Sequence, residues 1–138
     1  MVNTIDMQGL RYLNLFRKIT RIQTRYYFLY NEILMFCVPR RNIPQALGKK
    51  GENLKKMSDI LKRRVRILQI PHGVENAKAF IQSVIAPVTF KEVEITPDEI
   101  IVTAGSENKA ALLGRNKRRL NEMKEIVKDF FKKEYRVI

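Results

Sequence analysis

Apolar residues at Leu10, Leu13, Phe16 and Ile19 recur every three positions and predict a helix over 5–19 with those side chains on one face. Thr4 is its expected N-cap, and Gly9 weakens its first turn. The runs 22–30 and 33–38 are dense in aromatic and aliphatic residues and read as strands. Asn31-Glu32 between them fits a two-residue hairpin turn, and Pro39, with no N–H for the ladder, ends the second strand. A short helix is expected over 42–47, capped by Asn42 and with Pro44 near its start. A glycine-flanked turn follows at 48–51. The next helix runs from Glu52 to about Leu61, with Leu54, Met57 and Leu61 as its buried stripe and Ile60 widening it. Val65 and Ile67 alternate with basic neighbours, which predicts a strand over 65–70 with one buried face.

Pro71-His72-Gly73 is the clearest punctuation in the middle of the chain, and the second half then repeats the order. Ala77, Phe80, Ile81 and Val84 mark a helix over 74–85. Strands are expected over 89–95 and 100–104, joined by the turn Thr96-Pro97-Asp98-Glu99. Helices over 107–113 and 117–131 and a strand over 135–138 complete the half. Leu47 matches Leu113, Gly48 matches Gly114, Leu54 matches Leu120, Met57 matches Met123 and Ile60 matches Ile126, each 66 positions apart. A repeat of that length says that one supersecondary unit occurs twice. The expectation is an α+β fold made of two α-β-β-α-α-β units, 1–71 and 72–138, packed as one compact pair.

Charge sharpens the picture. The 138 residues carry 27 Lys+Arg against 14 Asp+Glu, a formal net charge of +13. A surplus of that size points to a polyanion, nucleic acid before an acidic membrane face. It is lopsided: residues 1–70 hold 15 basic and 4 acidic side chains, residues 71–138 hold 12 and 10. Apolar runs such as 33–38 are too short to cross a bilayer, and no signal-peptide pattern opens the chain, so the expected location is the cytoplasm.

Little in the chain suggests catalysis. Cys37 is the single cysteine, reads as a buried core thiol and offers no disulfide or metal pair. His72 is the single histidine, with no ligand partner nearby. Ser58, Ser83 and Ser106 have no triad context, Asp98 and Glu99 have no acid–base partner, and no Walker-type loop is present. The chain reads as a non-enzyme with no metal, no cofactor and no small-molecule substrate.

The two glycine turns carry the chemistry. Gly48-Lys49-Lys50-Gly51 lets the backbone turn sharply, lets another backbone approach closely, and starts a helix whose unpaired N–H groups face the same spot. Lys49 and Lys50 add full charges, which suits phosphate with little regard to base identity. Lys55, one turn on, and Arg40 and Arg41, before the short helix, are candidates for the rim of the same groove.

A GxxG turn between two helices beside a β-hairpin resembles the KH domain, whose GxxG loop clamps about four nucleotides of a single strand. The element order is similar to the type II arrangement. Leu10-Arg11-Tyr12-Leu13-Asn14-Leu15-Phe16-Arg17-Lys18-Ile19-Thr20, the segment Ala46 through Gly48-Lys49-Lys50-Gly51 to Lys55, and Ile85-Ala86-Pro87-Val88 resemble archaeal NusA-like transcription factors, which consist of two KH domains and little else. The resemblance covers essentially the whole chain. It implies single-stranded RNA as partner, bound through Gly48, Lys49, Lys50, Gly51, Asn53, Lys55, Arg40 and Arg41. It also implies a role in transcription elongation or termination, with RNA polymerase as a protein partner. The alternative is a structural or assembly protein of the ribosome or another ribonucleoprotein. The second turn departs from the pattern, because Lys117 stands where the motif has glycine. A weaker second site is expected there, formed by Gly114, Arg115, Asn116, Lys117 and Arg118 with Arg119 beside it.

Overall fold

The computed structural model describes residues 6–138, so the expected cap Thr4 and helix start Ile5 lie outside the described residues. The chain is α+β and divides into two compact units between Ile70 and Pro71. In the first, helix α1 spans Met7–Thr20. Strands β1 (Tyr27–Tyr30) and β2 (Ile33–Val38) follow, then helices α2 (Ile43–Leu47) and α3 (Glu52–Leu61) and strand β3 (Val65–Gln69). β2 is central, antiparallel to β1 and parallel to β3.

α1 is capped by Asp6, whose carboxylate accepts from the Gly9 N–H at 2.8 Å. Its buried face is Gly9, Tyr12, Phe16 and Thr20, with Leu13 and Ile19 packed at the margin. Leu10 is 48% exposed, which corrects its expected place in the stripe. A strict three-residue spacing loses about 60° per step on a helix, so Leu10 and Ile19 end up roughly 180° apart. Tyr12 and Phe16, spaced by four, stay in phase. Phe16 stacks on Phe36 at 4.5 Å between centroids, and Tyr12 meets Tyr27 edge-on at 6.0 Å.

β1 begins five residues later than expected because side chains take the backbone groups ahead of it. The Thr20 hydroxyl donates to the Phe16 carbonyl and accepts from the Ile22 N–H. The Thr24 hydroxyl donates to the Cys37 carbonyl at 2.7 Å and accepts from the Tyr26 N–H. Short polar side chains offer the backbone an alternative to a ladder in this way. The hairpin turn is as expected: Asn31 and Glu32 both have positive φ (53° and 65°), the two-residue geometry that matches strand twist, and Tyr30 pairs with Ile33.

All six residues of β2 are buried. Leu34, Phe36 and Val38 face the helices and join Tyr12, Phe16, Tyr27, Ala46, Met57 and Val65 in one core. On the other face, burial pushes the Cys37 thiol up to about 12, so it is a neutral packing group at physiological pH. In α3 only Met57 is fully buried. Leu54 and Leu61 pack half-buried against the core, and Ile60, 49% exposed, lies outside the expected stripe.

The second unit repeats the order: α4 (Ala77–Ile85), β4 (Glu92–Ile95), β5 (Glu99–Thr103), α5 (Ser106–Leu113), α6 (Arg118–Phe131) and β6 (Glu134–Val137). Its sheet has the same topology, with β5 central, antiparallel to β4 and parallel to β6. Residues 74–76, expected in the helix, form a separate 3-10 turn, and β4 is shorter than its expected 89–95. Phe80 of α4 packs against Phe130 and Phe131 of α6, with centroids 5.0 and 5.8 Å away. The offset of 66 does not hold between α1 and α4, whose buried positions are phased differently, but it holds from the first strand of each unit up to the last helix. There α6 has 14 residues against 10 in α3, so Val65 corresponds to Tyr135, each being the residue paired with the second position of the central strand's matching segment, Leu34 or Ile100.

The α1 phasing has a direct test. Phe16→Ala should cost about 3–5 kcal/mol in urea unfolding, while Leu10→Ala should cost under about 1 kcal/mol. The reverse order would place the wrong face of α1 in the core.

Candidate functional site

Pro39 leaves β2 in extended conformation, and Arg40–Asn42 form a 3-10 turn that leads into α2. Asn42 makes no side-chain cap bond, contrary to expectation, because the preceding turn already supplies helical backbone at that position. At the end of α2 the chain swings through Gly48 into a 3-10 turn, Lys49–Gly51, and then into α3.

Gly48 has φ 79° and ψ 174°, a region open essentially to glycine alone. A Cβ there would lie 2.8 Å from the Asn53 side chain and 3.0 Å from the Asn53 backbone nitrogen. Gly48 is therefore fixed twice, by its dihedrals and by the first turn of α3 pressed against it. Lys50 (φ 56°) and Gly51 (φ 73°) follow in left-handed conformation, and the Gly51 N–H closes the turn on the Gly48 carbonyl at 3.1 Å.

The second turn has the same backbone. Gly114 has φ 76° and ψ 172°, Asn116 φ 56° and Lys117 φ 59°, and the Lys117 N–H reaches the Gly114 carbonyl at 3.1 Å. A Cβ on Gly114 would meet the Arg119 backbone nitrogen at 3.0 Å. The fourth position does require positive φ, and Lys117 accepts that strain, which costs about 1–2 kcal/mol for a non-glycine residue. A Cβ at Gly51 would find nothing within 4 Å. The first glycine is thus enforced by contact and conformation together, whereas the fourth is favoured by conformation alone.

A brace common to both turns escaped sequence reading. Asn53 Nδ2 donates to the Gln45 carbonyl at 3.1 Å, and Arg119 Nη1, 66 positions on, donates to the Ala111 carbonyl at 3.0 Å. Asn53, expected among the RNA-binding residues, uses one amide N–H to hold α2 against α3. Arg119 does the same in its unit. A polar side chain five residues after each turn glycine was the available signal.

Lys49, Lys50 and Lys55 are exposed on the turn and the first turns of α3. No side chain caps α3 at Gly51; the Glu52 N–H bonds back to the Lys49 carbonyl, and the positive dipole end of the helix stands beside the two lysines. Arg40 and Arg41 are exposed too, but at the far end of α2 from the glycines. In the second unit, Arg115, Asn116 and Arg118 line a hollow of about 550 Å³ together with Asn121 and Glu122. Arg118 lies 3.8 Å from Glu122, where the first unit has Lys56. Locally the turns carry the same net charge, +3 over 49–56 and +3 over 115–122. The imbalance between the halves arises elsewhere. One other link stands near the site: Gln45 Nε2 donates to the Thr20 carbonyl at 3.1 Å, which ties the end of α1 to α2.

Among the described residues no group of three His, Cys, Asp or Glu could hold a metal ion, and no helix is long and apolar enough to cross a membrane.

These features define a two-unit α+β protein with a basic glycine turn at an uncapped helix start in each unit. In fold the chain is similar to a solved structure described as "Crystal structure of APE1850", with a TM-score of 0.67 and 18% identity over 97% of this chain and 99% of that one. No family model and no curated protein matches the chain.

The unequal demands on the glycines predict an order of stabilities. Gly48→Ala should cost about 3 kcal/mol, from strain and clash together, and Gly51→Ala about 1 kcal/mol. Lys117→Gly should raise stability by about 1 kcal/mol. Urea midpoints measure all three, and equal costs at Gly48 and Gly51 would remove the contact constraint.

Proposed function

We propose that the chain is a single-stranded RNA-binding protein built from two tandem type II KH-like units, without enzymatic activity. The observation that carries this reading is the turn at Gly48–Gly51. Exposed Lys49 and Lys50 stand beside the uncapped start of α3, and the space over Gly51 is open to an approaching backbone. Phosphates bind there through backbone N–H groups and lysine charge, while the bases stay unread by this turn. The second turn is the weaker site. Its backbone is the same, but Lys117 places a side chain over the open face and Arg118 has a carboxylate beside it. The resemblance to archaeal NusA-like factors supports action in transcription elongation or termination in the cytoplasm, with RNA polymerase as the protein partner.

Lys49→Asp combined with Lys50→Asp should weaken binding to single-stranded RNA at least tenfold at low salt. The slope of log affinity against log salt should flatten by about 1.4, or 0.7 for each lost phosphate contact. Fluorescence anisotropy over a salt series reads both, and an unchanged slope would remove the turn from binding. Co-purification separates the biological settings: RNA polymerase supports a transcription role, ribosomal subunits an assembly role.

A further inference from the structure

We propose that RNA bound at the Gly48–Gly51 turn continues onto the C-terminal end of α1, where Asn14, Arg17, Lys18 and Arg21 form a second phosphate-binding surface. This deepens the RNA-binding reading and rests on it.

The four residues fall at i, i+3, i+4 and i+7, one stripe of the helix, and they line an open hollow of about 620 Å³. Arg17, Lys18 and Arg21 are all exposed. No Asp or Glu occurs between Asp6 and Glu32, a stretch that holds Arg11, Arg17, Lys18, Arg21 and Arg25. An ordinary solvated helix face mixes signs, and this one does not.

Cations near a helix C-terminus often serve its carbonyls. Here neutral donors already hold several of them. The Phe16 carbonyl accepts from the Thr20 hydroxyl, the Arg17 carbonyl from the Arg21 N–H, and the Thr20 carbonyl from the Gln45 amide. These carbonyls therefore have donors without the three cations, and an external polyanion gives the stripe a partner.

The position suits RNA already held at the glycine turn. Gln45, which grips the end of α1, lies three residues before Gly48, about 5 Å along α2. The stripe is also where the units differ. α4, the counterpart of α1 in the second unit, carries a single cation, Lys78, and has no such stripe. With the turns equal in local charge, α1 supplies much of the first unit's excess.

The test compares a U4 with a U12 oligonucleotide on the full chain over a salt series. In Arg17→Gln/Lys18→Gln/Arg21→Gln, affinity for U12 should fall at least tenfold and its salt slope should flatten by about 2, while U4 binding stays as in the wild type. Unchanged U12 affinity and slope overturn the proposal. An equal loss for U4 and U12 also overturns it, because the stripe would then act as a general field or as part of the fold. Arg21→Gln alone, at an exposed position beyond the helix, gives the same comparison with a slope change of about 0.7 should the triple variant unfold. The underlying reading fails in a different way: Lys49→Asp/Lys50→Asp would then leave U4 binding unchanged.

Discussion

The feature on which the site depends is a missing side chain. At Gly48 the chain passes within van der Waals range of the first turn of α3, and its dihedrals admit essentially only glycine. This contact sets the angle between α2 and α3, and that angle aims the uncapped end of α3 past Lys49 and Lys50. Gly114 solves the same problem in the same way in the second unit. The shape of the turn is therefore a product of a packing demand, since the close approach that makes the corner also fixes where the lysines and the start of α3 stand.

Much of the fold was legible in the sequence because it rests on local rules. The element order, the whole of β2, the Asn31-Glu32 turn and the extent of α3 follow from apolar runs, turn residues and Pro39. The misses came where a side chain outcompeted the pattern. Thr24 took backbone groups that β1 was expected to pair. Leu10 fitted a spacing of three that a helix cannot sustain on one face. Asn42 had the right chemistry for a cap but followed a turn that was already helical.

The glycines and lysines of the candidate site were visible as a motif, but their unequal standing was not. Packing alone separates Gly48, wedged against backbone, from Gly51, which faces open space. Asn53 illustrates the general difficulty: its bond to the Gln45 carbonyl gives it a structural role that the motif did not reveal. Charge counted over halves was likewise too coarse, because the turns proved equal and the excess lay partly on α1.

The extra length of α6 carries a lesson about how such a unit tolerates change. Four residues amount to about 400° of helix, so the apolar stripe returns within roughly 40° of its starting direction. An extension of two residues would instead rotate the distal half by about 200° and turn Val127 and Phe131 towards solvent. Between α3 and α6 the step is one turn, and the final strand is carried along the axis and still delivered to its neighbour in register.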